Sequence, residues 1–259
     1  MAEKETKNKP KDLIEAVPEE IQKLGNDGSI AAEAQPEVSP EERDRANRVD
    51  AWAPKTQIGR DVKSGKETDI DNILNLRKKI LEPEIVDSLL KLESDLILIG
   101  QAKGKFGGGK RRAWRQTQRK TMEGNVVSFS AMVVVGDKKG HVGVGLGKGK
   151  ETKPAREKAQ REARLSIQRI ELGCGHFDCS CSEKHSIPFI VQGKCGSVRV
   201  KLMPAPQGTG LVVGDQLKKL LRLAGIKDIY GVTDGQTRTT FNAVKACFYA
   251  LLKTTEVKR

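Results

Sequence analysis

Two sets of residues in this chain have types and spacings that could do chemistry. The first combines thiols and imidazoles. Three of the five Cys and two of the three His fall in Gly173-Cys-Gly-His-Phe-Asp-Cys-Ser-Cys-Ser-Glu-Lys-His185. Cys174, Cys179, Cys181 and His185, spaced Cys-x4-Cys-x-Cys-x3-His, could give three sulfurs and one nitrogen to one structural Zn2+. His176 is a rival fourth ligand, and reduced thiols in a metal-free turn are the alternative. Cys–His nucleophilic catalysis is not expected. It needs a base held by a separate rigid element, and these residues share one loop.

The second set is cationic. Between Gln101 and Lys120 stand Lys103, Lys105, Lys110, Arg111, Arg112, Arg115, Arg119 and Lys120, with no acid among them. The glycines of this stretch free its backbone to approach a surface closely. Such a loop can follow a phosphate backbone and release its counterions; a solvated flexible loop is the alternative. Lys138 and Lys139 in a turn, and Lys148, Lys150, Lys153 and Arg156 around a predicted helix start, lie where phosphates could bind. Arg238 stands in a later polar loop. A formal net charge of +13 over 259 residues makes an anionic partner the first expectation. Two Trp and two Tyr are too few for a protein built on base stacking.

Other chemistry is argued against by spacing. In Gly143-x-Gly145-x-Gly147-Lys148 a Walker loop would need Gly at Val142 and Ser or Thr at Gly149, and a dinucleotide fingerprint would need a third Gly at Lys148. These glycines are therefore assigned to packing, and no organic cofactor or small-molecule substrate is expected. The first residues hold no apolar stretch of signal-peptide type, and no run approaches about 18 apolar residues, so no membrane segment is expected.

The elements that must position these residues follow from periodicity. Residues 1–48 are polar and rich in Lys, Glu, Pro and Ala, which predicts a disordered tail. Residues 49–92 read as an extended arm to Lys66, a helix opened by a capping-box-like Thr68-Asp-Ile-Asp71, and a helix with Pro83 in its first turn. Residues 93–172 read as a strand at Asp95–Ile99, a hairpin of Asn125–Gly136 with His141–Gly147, and a helix from Thr152 to Leu172. Ala155, Ala159 and Ala163 would let that helix lie against the strand glycines. With the preceding helix this is αβββα, the order of a double-stranded-RNA-binding domain. Residues 173–185 form the Cys/His-rich linker. Residues 186–253 read as ββαβα, opening with a strand at Ile187–Val191, and 254–259 as a tail. The predicted class is α+β in two units.

Val134-Val-Gly-Asp137, Gly140-His-Val-Gly143 and Gly145-x-Gly147 are followed by Gly196-Ser-Val198, Pro204-Ala-Pro206, Gly208-x-Gly210, Leu223-Ala-Gly225 and Thr237-Arg-Thr-Thr240. In this order, over roughly Ala51 to Lys253, they resemble the universal small-subunit ribosomal protein S-five family. The Cys-rich linker with His185-Ser-Ile-Pro-Phe189, and the Trp52-x-Pro-x-Thr56 arm, look like its archaeal type. The resemblance implies a double-stranded-RNA-binding-like first domain and a second with a βαβ crossover of unusual left hand. It implies a non-catalytic constituent of the small (30S) ribosomal subunit, in the cytoplasm. Such a protein binds ribosomal RNA near the side where mRNA enters, beside proteins S-four and S-eight, and supports assembly and decoding accuracy. It also implies an RNA-facing role for Arg111 and Arg112. The loop before Arg115 is longer and richer in glycine than the family's usual one. A free-standing RNA-binding regulator with a metal-stabilised linker is the alternative.

Overall fold

The structure is a computed structural model that describes residues 45, 47–76, 78–102, 111–179, 181 and 183–256. The expectations for residues 1–44 and 257–259, and for Lys103, Lys105 and Lys110, lie outside the described residues.

After helical residues at 47–50 come three short helices: α1 (Gln57–Lys63), α2 (Ile70–Asn75) and α3 (Pro83–Leu89). The first five strands are β1 (Glu93–Leu96), β2 (Trp114–Thr121), β3 (Gly124–Gly136), β4 (His141–Gly149) and β5 (Gln168–Arg169), with α4 (Thr152–Leu165) between the last two. β1, β3, β4 and β5 lie side by side in that order, and β2 joins the same edge of β3 as β1, farther along it. The second unit holds β6 (Val191–Cys195), β7 (Val198–Pro204), β8 (Leu211–Val212), α5 (Asp215–Ala224), β9 (Ile229–Asp234) and α6 (Thr240–Glu256). Its sheet order is β6-β7-β9-β8, with β8 and β9 parallel and joined through α5. The fold is α+β in two units, as expected.

The second half of β3, residues 130–136, is buried on both faces. Ala131, Val133 and Val135 pack with Ala155, Ala159 and Ala163 of α4. Met132 and Val134, pointing the other way by the two-residue period of a strand, belong to the core that holds Leu217, Leu220 and Leu221 of α5. On β4 the glycines allow α4 to lie against the sheet. A Cβ at Gly143, Gly145 or Gly147 would sit 2.1, 2.1 and 2.0 Å from the carbonyl oxygens of Ala163, Ala159 and Ala155. The two units also share polar ties. The Leu98 amide donates to Gln216 Oε1 (2.8 Å), and Lys219 Nζ lies 2.8 Å from both Asp95 Oδ1 and the Leu96 carbonyl. Lys138, in the left-handed region at φ 60°, donates its amide to the Leu223 carbonyl (2.9 Å), against the C-cap Gly225 of α5.

Several element readings are corrected. Residues 114–121, taken as loop, are β2. Its two faces are equally polar, so no period-two signal exists, and its ladder depends on β3. The arm before Lys66 is not extended throughout. It contains α1, and Trp52 and Val62 are buried with Ile70, Ile73, Ile85, Val86 and Ile167. The N-cap of α2 is Asp69 rather than Thr68, and Asp71 makes ion pairs instead of closing a capping box. The first strand is Glu93–Leu96 rather than Asp95–Ile99. α4 ends at Leu165, short of the expected Leu172, and Ile167 and Ile170 are buried outside it. The second unit's first strand is Val191–Cys195, not Ile187–Val191. Pro188 has no amide for a ladder, whereas Gly193 lets α6 approach through Ala246 and Ala250. Residues 254–256 belong to α6, with Thr254 fully buried. Position 48 is helical too, and Arg48 and Arg45 both reach Asp87, Arg48 at 4.0 Å and Arg45 through its backbone carbonyl.

Candidate nucleic-acid interface and metal centre

The expected cationic residues separate into groups along β3. Trp114 pairs with Ala131, and Arg115 and Lys148 both stand opposite Ser130, one from each side. Arg115 and Lys148 therefore share a row across the sheet. Lys150 and Lys153 follow at the end of β4 and the start of α4, both exposed. No acid lies in the first turn of that helix and no side chain caps it, so its first amides are free, beside the N-cap residue Glu151 as well as Lys150 and Lys153. The Arg156 guanidinium stacks over the Trp114 ring, 5.2 Å from its centroid, fastening α4 to β2. Beyond this row β2 and β3 form a two-stranded ribbon with mostly exposed residues, bearing Arg119 and Lys120 close to its tip.

Ala102 bridges Arg111, and the Gly100 amide donates to the Arg112 carbonyl (2.9 Å). Here a cleft of ≈ 980 Å³ opens between the units. Arg111, Arg112 and Arg115 line it from the first unit and Arg238 from the second, and no described acidic residue does. Arg238 is 123 residues from Arg115 in sequence, so only the fold brings the two together.

Lys138 and Lys139 do not join this group. Their turn lies six residues along β3 from Ser130, roughly 20 Å at strand rise. Lys138 Nζ is 2.5 Å from Glu93 Oε1. The turn is part of a charge network. His141 Nδ1 meets Asp137 Oδ2 at 2.6 Å, His141 Nε2 meets Asp71 Oδ1 at 2.9 Å, and Arg169 meets Asp71 Oδ2 at 3.1 Å. Burial pushes the His141 pKa down, but hydrogen bonds to Asp137 and Asp71 outweigh it and the net shift is upward.

In the linker the fold assembles the four expected ligands. One ligand atom from each of Cys174, Cys179, Cys181 and His185 lies within 4.8 Å of the others. His185 Nε2 is 3.4 Å from Cys179 Sγ and 3.1 Å from Cys181 Sγ, near the roughly 3.4–3.8 Å edges implied by zinc bonds of about 2.1–2.3 Å. His176 is instead at the Asp178 side chain and amide. Cys174 and Cys181 border a second cleft, of ≈ 710 Å³, which gives a path for a metal ion. The neighbouring thiols push each other's pKa apart, Cys179 down to about 6 and Cys181 up to about 12. Three sulfurs and one imidazole nitrogen in so small a space form the donor set that a thiophilic divalent ion takes. The residues fit a tetrahedral ion.

Two functional contacts were absent from the sequence reading. Trp114 lies among arginines in sequence, and its stacking partner is 42 residues away. Asp228 lies 2.9 Å from His185 Nδ1, though not in line with its N–H, and is almost fully buried. Its one signal is a lone acid between Ile226 and Ile229, just before a strand.

Two family models match the chain: Ribosomal protein S5, N-terminal domain, over residues 113–171, and Ribosomal protein S5, C-terminal domain, over residues 193–259. The chain is 48% identical over 211 residues to the small ribosomal subunit protein uS5 of Nanoarchaeum equitans, covering 81% of this chain and 90% of that protein. It is 48% identical over 204 residues to the protein of the same name from Pyrobaculum calidifontis, covering 78% and 94% respectively. It is 47% identical over 204 residues to that of Methanocaldococcus jannaschii, covering 78% and 87%.

Proposed function

From the premise that the chain belongs to the ribosomal protein S5 family, we propose that it is a constituent of the small (30S) ribosomal subunit that binds ribosomal RNA near the side where mRNA enters. The family is structural and non-enzymatic. In this reading the protein works in the cytoplasm, beside proteins S-four and S-eight, and supports subunit assembly and decoding accuracy.

One observation carries the RNA reading. Arg111, Arg112 and Arg115 from one unit and Arg238 from the other converge on a cleft with no described acid in its wall. Arginines placed this way can each contact a phosphate, fixing the position of an RNA strand without reading its sequence. The Arg115–Lys148 row, Lys150 and Lys153 extend the cationic surface to the free amides of α4, and Arg119 and Lys120 extend it along the ribbon. Lys103, Lys105 and Lys110 belong to the same stretch of sequence. Arg156 serves indirectly, by holding α4 to Trp114. Lys138 and Lys139 are a separate contact at the far end of the sheet.

Cys174, Cys179, Cys181 and His185 would hold one structural Zn2+. Bound there, zinc supplies cross-linking of a loop that has little apolar core of its own. The chain's own residues do the rest. His185 is buried at the seam between linker and second unit, and its carbonyl accepts from the Lys227 and Asp228 amides at 2.9 and 3.2 Å.

Replacing Arg111, Arg112 and Arg238 together by Ala tests the RNA reading. Binding to small-subunit ribosomal RNA should weaken, and the slope of log K against log salt should flatten by about 2–3, at about 0.7–0.9 for each lost phosphate contact. An unchanged slope would remove the cleft from the interface. For the metal, the wild-type chain should carry one zinc per molecule and Cys179→Ser should lose it; equal, near-zero zinc in both would end that assignment.

A further inference from the structure

We infer that Asp228 is the positioning residue of the Cys/His centre, and that it ties metal occupancy to the order of the loop 205–210. This rests on the metal reading above.

His185 is 1% exposed, and its Nε2 faces Cys179 and Cys181. If Nε2 binds a metal, Nδ1 must carry the ring proton. The group beside Nδ1 is Asp228 Oδ2, at 2.9 Å. A carboxylate there favours the Nδ1–H tautomer and orients the ring. Asp228 is itself held. Its other oxygen, Oδ1, accepts from the Gly210 amide at 2.7 Å, and its own amide donates to the His185 carbonyl. One residue therefore grips the backbone and the ring of His185 together.

Oδ1 accepts from the Gly210 amide, and Oδ2 sits beside the His185 ring nitrogen, off the line of its N–H. That makes the acid hard to replace, since an asparagine has one oxygen and would turn its NH2 toward either Gly210 N–H or His185 Nδ1–H. The same loop reaches the centre at one more point. The Ala205 amide donates to Ser186 Oγ, next to His185, at 3.4 Å. Fixing His185 fixes Asp228 and with it Gly210. Gly208 and Gly210, at φ +89° and +72°, have no atom within 4 Å of an added Cβ, so the loop has little packing of its own to order it.

The test uses the full chain with zinc or cobalt(II) alone. Asp228→Asn should lower zinc affinity about 10–100-fold in competition with a chromogenic chelator, and should shift the cobalt ligand-field bands while leaving the thiolate charge-transfer band in place. Asp215→Asn, at an exposed position on α5, should do neither. In the wild type, removing zinc should speed hydrogen exchange at the Gly210 amide and leave the β3–β4 ladder protected. The exchange measurement decides alone if Asp228→Asn fails to fold. Zinc affinity of Asp228→Asn within about twofold of wild type overturns the positioning role. Unchanged exchange at Gly210 overturns the coupling to the loop. A wild-type chain that takes up no zinc overturns the metal reading itself, and this inference with it.

Discussion

His141 has a carboxylate at each ring nitrogen, Asp137 at 2.6 Å and Asp71 at 2.9 Å. Both nitrogens can donate only when the ring is protonated, so the arrangement favours the cation over the pull of burial. The sign of the pH dependence follows. With its folded pKa above an unfolded value of about 6.5, His141 contributes its full stability below about pH 6.5 and loses it as pH rises through the folded value. The thermal midpoint of the wild type relative to His141→Gln should therefore fall between about pH 6 and about pH 8. A flat difference would place the proton elsewhere. Sequence places His141 only at the start of a hairpin strand. Its second partner, Asp71, is 70 residues upstream in a helix whose placement no local pattern encodes. The four metal-site residues were legible because all stand within twelve positions. Asp228, 43 residues beyond His185, was not.

At the scale of elements, the seat of α4 on β4 was legible because both sides announce it, small residues every fourth position on the helix and every second on the strand. Gly145→Ala tests it. Its Cβ would lie 2.1 Å from the Ala159 carbonyl and 2.3 Å from the Ala163 amide, backbone atoms that cannot rotate away. The helix must lift, at a cost of about 3 kcal/mol or more in chemical denaturation; a loss under about 0.5 kcal/mol would mean that the helix is not seated as described. β2 was illegible for the opposite reason, since a strand polar on both faces has the composition of a loop. The helical arm was hidden too. Its fold depends on Glu82, which accepts from Trp52 Nε1 at 2.8 Å and from the Lys55 and Thr56 amides at 2.9 and 2.6 Å. Glu82→Ala should raise hydrogen exchange across residues 52–63 and leave β3 protected; equal protection in both proteins would show that Trp52 alone anchors the arm.

For the whole molecule, the double burial of β3 is the organising fact. One face takes α4 and the other takes the core of the second unit, so the two units are set against each other by a single strand. That arrangement carries Arg238 to Arg111, Arg112 and Arg115. The α+β class and the two-unit order could be read from periodicity. The cleft could not, because periodicity says which face of an element is apolar and not which distant element will cover it. In the function proposed, this cationic cleft belongs to a resident of the small ribosomal subunit. Sedimentation of cell extract through a gradient at moderate salt tests that residence. The tagged wild-type chain should travel with the small subunit, and the variant lacking Arg111, Arg112 and Arg238 should be displaced at lower salt than wild type. A wild-type chain found free at the top of the gradient, with small subunits intact below, would contradict the account and favour a free-standing RNA-binding protein.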